Sequence, residues 1–246
     1  MMNIGRKFYI MVLLLFYRRE QELKRYDFFW IAALAAVIVI LVYPTKHVAF
    51  LSATKAHPYI MGFIKVAILA TMGELLAIRI AAGDWRKPTG ILFRILVWGF
   101  IGMTFVIVFD IFASGVNGAV SKGLLPNMRE GIASRLGFAF FTSAFMNLIF
   151  APTFMAFHRV TDTFIDMGEG KLEKIGKVKL KDVVNKIDWN GFISFVVLKT
   201  IPIFWIPAHT ITFLLAPEYR VLMASFLSIA MGGILAFAKR RNTKTA

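Results

Sequence analysis

The sequence predicts an all-α, polytopic integral membrane helix bundle of about six transmembrane helices. Three observations carry that prediction. The 246 residues are 58% apolar and only 17% charged, with 25 Phe and 12 Met. A water-soluble globule of this size cannot bury so much apolar side chain without large exposed patches, whereas lipid covers them. The apolar residues are gathered into six long runs, and nearly all the Lys and Arg lie between the runs.

In chain order, residues 8–16 are apolar, follow Arg6 and Lys7, and precede Arg18 and Arg19. They resemble a signal sequence but lack a small-residue cleavage site, so the plainer reading is an uncleaved helix lying on the membrane surface. Residues 28–43 form the first span, somewhat short of the ~20 residues that cross ~30 Å of hydrocarbon. Residues 56–80 form the second and carry Lys65, Glu74 and Arg79. The third, 91–115, carries Arg94 near its start and Asp110 near its end. Residues 136–157 and 221–238 hold no charge, and 190–215 holds only Lys199. Pro217 followed by Glu218 suits a helix start, since the ring lacks a donor that would be orphaned and the acid faces the positive dipole end.

Between the spans, residues 158–189 place Leu180, Val183, Val184 and Ile187 at helical spacing among lysines, which predicts a short amphipathic helix on the inner surface. Alternating six spans puts 20 Lys and Arg on one side and 6 on the other. By the positive-inside rule the richer side, with both termini, is cytoplasmic or its organellar equivalent. The formal charge of +15 is thereby explained without nucleic acid, whose binders concentrate basic residues on one face of a folded domain.

Ionisable groups inside a membrane usually find a partner or water. At ~1.5 Å per residue, Glu74 lies ~9 Å and Lys199 ~13 Å from the inner helix ends, and Asn147 sits ~15 Å in. Lys65 and Asp110 lie in the outer half. Glu74–Lys199 and Lys65–Asp110 are therefore the expected ion pairs. The fifth span contains Pro202 and Pro207, each of which frees a carbonyl about one turn earlier. Lys199, Pro202, Ile206 and Thr210 share one helical face at α spacing, with His209 beside it. That face is either the wall of a water-lined cavity or a proline kink made for packing, with threonine hydroxyls satisfying the backbone.

Catalytic chemistry finds no footing. Ser52 and Lys55 spell S-x-x-K without any companion motif. No cysteine is present, and His47, His57, His158 and His209 are scattered. The expectation is no enzyme, no cofactor and no metal.

The segment from Trp205-Ile206-Pro207 through His209, Thr212 and Phe213 to Pro217 and Tyr219-Arg220 is similar to the signature W-P-x-x-Q-x-x-N-F-x-x-V-P, then Y-R. Three further stretches fall in order: His57-Pro58 with Gly73-Glu74, then Gly99-Phe100-Ile101-Gly102, then Phe150-Ala151-Pro152-Thr153-Phe154. Together they make residues 44–240 resemble the Mpv-seventeen and peroxisomal membrane protein family, as a remote member. Several positions depart from the pattern: Glu74 replaces Asp, Met146-Asn147 replaces Asp-Gln, Met103 replaces Pro, Met231 replaces Trp, and His209 and Thr212 replace Gln and Asn.

The resemblance implies a family-like core of five helices over residues 44–246, with residues 1–43 as an N-terminal extension. It implies a small helical protein of a mitochondrial inner, peroxisomal or other membrane, and for some members a weakly selective channel. The expected polar interior is Lys65, Glu74, Asp110, Asn147, Lys199, His209 and Thr210. The alternative is a structural or lipid-interacting protein without a conduction path. The partners expected are the lipid bilayer, small solutes or ions, and a second copy of the chain.

Overall fold

Apolar runs of this length must satisfy every backbone N–H and C=O within themselves once lipid surrounds them, so they become helices. The computed structural model describes residues 24–126 and 131–242, with side chains through Ile234. The proposed surface helix at 8–16 lies outside them. Besides the four-residue turn Leu172–Ile175, eight helical elements organise the described chain: α1 (Arg25–Val42), α2 (Pro44–Ala56), α3 (Pro58–Ala82), α4 (Ile91–Ser121), α5 (Ile132–Met167), α6 (Leu180–Lys186), α7 (Trp189–Leu214) and α8 (Pro217–Asn242). No strand occurs among the described residues.

The protein is an all-α polytopic membrane helix bundle. Helices α1, α3, α4, α5 and α7 are each long and apolar enough to cross a membrane. The sixth expected run lies in α8, a 26-residue helix. Large apolar side chains cover the outside of the bundle, among them Phe28, Ile64, Phe100, Leu148 and Ile203, a surface that only lipid or another apolar partner covers.

Helix boundaries follow local chemistry. Pro44, Pro58 and Pro217 each open a helix, where a missing N–H costs nothing. At the start of α1 the Asp27 carboxylate accepts the Lys24 N–H at 2.8 Å and places a negative charge at the positive dipole end. Gly83, at φ 73°, closes α3 in the left-handed region that a side chain would resist. The connection at 44–55, expected to be loop, is instead the helix α2, bounded by single extended or irregular residues at Tyr43 and His57.

Two ends of the bundle are distinguished by their contacts. Lys24 pairs with Asp84 at 2.7 Å, and Arg94 with Asp166 at 2.7 Å. These bring the start of α1, the end of α3, the start of α4 and the end of α5 to one end, which we call the basic end after the Lys and Arg of its connections. At the opposite end, His47 meets Tyr219 at 2.8 Å and Lys55 meets Glu218 at 3.2 Å.

Helix α3 is the central strut. On one side Gly62 and Gly102 let α3 and α4 touch backbone to backbone: a methyl added at Gly102 would lie 2.2 Å from the Gly62 carbonyl oxygen. On the other side Gly73 lies against Ile229 and Gly232 of α8, with 3.0 Å between its would-be Cβ and the Ile229 Cα. Small residues at such crossings maximise packing where no hydrophobic force separates helix from lipid. Helix α1 packs Trp30, Leu34, Val37 and Leu41 against Leu69, Met72, Leu222 and Ile229, and Trp30 Nε1 donates to the Met72 carbonyl at 3.0 Å.

Helix α5 continues for 36 residues, well past the apolar run that ends near Phe157. The predicted helix among the lysines forms as α6, but Val183 is fully buried and Ile187 nearly so, while Leu180 and Val184 stay exposed. Its apolar residues divide between a protein contact, with α5, and an exposed face, where a surface helix would send them all to lipid.

Candidate functional site: a column of polar and aromatic groups

Along the bundle axis the buried polar groups fall into three tiers. The first, at the basic end, centres on Arg94, which is 6% exposed. Its Nε donates to the Thr89 carbonyl at 2.9 Å and its Nη1 to Glu74 at 3.0 Å. The same Nη1 lies 3.0 Å from Asp162, and Nη2 donates to Asp166 at 2.7 Å. Three carboxylates thus share one guanidinium. His158 approaches Asp162 at 3.6 Å through Nδ1 and lies against the Trp98 ring at 4.1 Å between centroids. Among the described residues, His158 Nε2 is buried without a hydrogen-bond partner. Beside this tier, Arg79 grips Asp27 with two bonds of 2.9 Å, and Trp85 Nε1 donates to the same carboxylate at 2.7 Å. Outside the spans, Asp84 is held below the ordinary carboxylate range, first by the Lys24 ammonium and then by the Trp85 N–H.

The middle tier is aromatic. Phe105 stacks on Phe109 at 5.5 Å and meets Phe154 edge-on at 5.2 Å, and Phe109 packs on Phe213 at 5.4 Å. Phe105, Phe109 and Phe154, with Phe150, Trp205, His209 and Asn147, line a cavity of about 30 Å³, room for a water molecule. His209 is 7% exposed; it stacks on Trp205 at 5.4 Å and meets Phe109 edge-on at 5.8 Å. Its Nδ1 has no hydrogen-bond partner among the described residues. Asn147, 1% exposed, turns Nδ2 to the Ser143 carbonyl at 2.8 Å.

The third tier, at the opposite end, is a chamber of about 320 Å³ lined by Lys65, Asp110, Arg220, Thr54, Val106 and Phe109 among others. Phe109 borders both this chamber and the aromatic cavity. From Arg94 to Phe109 along α4 is fifteen steps, ~22 Å at ~1.5 Å per residue, so the three tiers divide most of a bilayer's thickness.

The two expected ion pairs do not form. Glu74 is taken by Arg94, and Lys199 stands exposed on the outside of the bundle. Lys65 and Asp110 border one chamber, but Lys65 Nζ donates to Thr54 Oγ1 at 2.9 Å rather than to the carboxylate. The misplacement of Lys199 has a physical cause. Residues Phe192–Trp205 of α7 are wound with i→i+5 bonds, the Ile206 N–H reaching back to the Ile201 carbonyl. Such winding changes the angle per residue, so a face drawn at 3.6 residues per turn does not persist.

The buried residues of α7 are consequently Phe192, Ile201, His209, Thr212 and Phe213, while Lys199, Pro202 and Pro207 are exposed. Thr210 spends its hydroxyl on the Ile206 carbonyl at 2.8 Å, one turn back on its own helix, and does not line the cavity. Ser143 of α5 donates to the same carbonyl at 2.7 Å. Of the signature positions, Gly73 makes the α8 contact, Trp205 and Phe213 build the aromatic tier, and Pro217 and Arg220 border the chamber. Thr212 is fully buried and bonds back to the Ala208 carbonyl at 3.1 Å, and Pro152 lies inside α5.

Sequence reasoning missed the carboxylates Asp162 and Asp166. They follow the hydropathic end of their run by less than three turns, where hydropathy alone reads a connection. Their signal is the i, i+4 spacing of His158, Asp162 and Asp166 on an uninterrupted helical pattern.

Comparison of this chain with protein-family models, with curated proteins and with solved structures gave no match.

Proposed function

We propose that this protein is a weakly selective channel for small solutes, held closed by the aromatic tier. The observation that supports the reading is Phe109. It is 4% exposed and stands as the common wall between the chamber holding Lys65 and Arg220 and the cavity holding His209 and Asn147. Polar groups at both ends with an apolar constriction between them is the arrangement of a pore that gates by excluding water. The basic end faces the cytoplasm or its organellar equivalent in this reading, by the excess of Lys and Arg in its connections. Remote membership of the Mpv-seventeen family is part of the same proposal.

The test is solute flux into proteoliposomes. Wild type is expected to conduct slowly and Phe109→Ala at least about tenfold faster, since truncation joins the two spaces. Equal, background-level flux from both proteins, each folded, overturns the proposal. A structural role without conduction is the second reading. It is favoured by Arg94 and Arg79, whose ion pairs tie α4 to α3 and α5 and tie α3 to α1.

A further inference from the structure

The chamber at the end opposite the basic one holds two cations, Lys65 and Arg220, that form no salt bridge among the described residues. Lys65 is 6% exposed, yet its ammonium has only the Thr54 hydroxyl at 2.9 Å and the Phe50 ring face at 4.6 Å. An ammonium has three donors, so most of its hydrogen-bonding capacity is unspent. Arg220 donates Nε to the Leu215 carbonyl at 3.2 Å and lies over the Phe213 ring at 5.3 Å. Neither cation has a carboxylate within 4.0 Å among the described residues.

The acids bordering the chamber do not cancel this. Glu218 is engaged with Lys55 at 3.2 Å, which leaves two cations and the single carboxylate of Asp110. Pro58 and Pro217 also border the chamber, so the positive ends of α3 and α8 flank it. The remaining wall is apolar: Val106, Phe109 and Val221. A buried ammonium without a counter-ion is costly unless something charged joins it. The volume of about 320 Å³ is at the lower end of small-ligand sites.

We propose that this chamber binds a small organic carboxylate, its anionic head between Lys65 and Arg220 and its short apolar tail against Val106 and Phe109. The apolar wall is what favours an organic acid over inorganic phosphate. The inference deepens the channel reading by naming the class of solute received at this end.

Binding is measured apart from transport, on the full chain in phosphatidylcholine nanodiscs, with butyrate, butyramide and inorganic phosphate as probes. Butyrate is expected to bind at least about tenfold tighter than butyramide, its neutral counterpart, and tighter than phosphate. Lys65→Met and Arg220→Gln should each weaken butyrate about tenfold or more, while Lys65→Arg keeps most of the affinity. Should Lys65→Met fail to fold, Arg220→Gln, at a half-buried position, carries the same test.

Equal binding of butyrate and butyramide overturns the inference, and so does butyrate affinity indifferent to Arg220→Gln. A parallel set of nanodiscs contains phosphatidylglycerol. Loss of butyrate binding there, restored when that lipid is removed, assigns the two cations to a lipid headgroup and overturns the solute proposal. Binding without flux leaves this inference standing and ends the channel reading; flux without binding does the reverse.

Discussion

Replacing Arg94 with Met tests whether the charged tier behaves as one unit. The guanidinium is 6% exposed and answers four groups: the Thr89 carbonyl and the carboxylates of Glu74, Asp162 and Asp166. Asp166, with a side chain 56% exposed, rehydrates when its partner leaves. Glu74 and Asp162, at 22% and 16%, are left facing one another without a cation. Breaking a buried pair by removing one partner costs about 3–5 kcal/mol, because the remaining charge is uncompensated. Most of that cost here belongs to the carboxylates left behind, so removing a charge should return part of it. Arg94→Met combined with Glu74→Gln is expected to recover about 0.5–3 kcal/mol of the single-variant loss, the range found for residues in direct contact. The assay is reversible unfolding in mixed detergent micelles, followed by circular dichroism. A loss below about 1 kcal/mol for Arg94→Met, or no recovery in the double variant, would refute the argument, since either result means the carboxylates are already solvated.

Two further predictions concern packing and geometry. Gly102→Ala forces a methyl to 2.2 Å from the Gly62 carbonyl oxygen, whereas Gly115 has nothing within 4 Å of its would-be Cβ. The first should destabilise by about 1–3 kcal/mol and the second should be neutral or stabilising by up to about 1 kcal/mol, read by the same unfolding assay; similar values for both would contradict the close crossing. Arg79→Lys keeps the charge but loses the two-pronged grip on Asp27, so α1 should become accessible to protease at lower detergent challenge than in wild type. Unchanged cleavage would mean that Trp30 and its neighbours hold α1 without the ion pair.

The helical bundle was legible because hydrocarbon leaves a chain few options: long uncharged runs, prolines at helix starts and lysines between runs all describe one architecture. Partners within the bundle were less legible. Depth along a helix is a linear count, so Glu74 was placed near the right level, but the direction a side chain faces depends on winding. The i→i+5 segment broke the count for Lys199. Arg94 was visible as a charge at a helix start and still went unassigned, because its carboxylates came from α5 beyond the point where hydropathy ends. The His209 cavity was half visible: the residue was singled out, but its companions Phe105, Phe109 and Phe154 were read only as apolar bulk. Nothing in the spacing of Lys65 and Arg220 announces a shared chamber, since they lie on different helices, α3 and α8, that only the packed bundle brings to one space.

The length of α5 has a mechanical consequence. Its 36 residues extend about 54 Å at ~1.5 Å per residue, against a hydrocarbon layer of about 30 Å. Even leaning at ~40°, near the limit seen for spanning helices, it covers about 41 Å along the bilayer normal. The helix is therefore a mast rooted among its neighbours and standing clear of the lipid. Because Ser143, in the half of α5 nearer the opposite end, ties it to α7 through the Ile206 carbonyl, the surplus length emerges at the basic end, and α6 packs against α5 with Val183 buried. A load applied to the mast outside the membrane would reach the Arg94 carboxylates before it reached Phe154 and Phe150 of the aromatic tier.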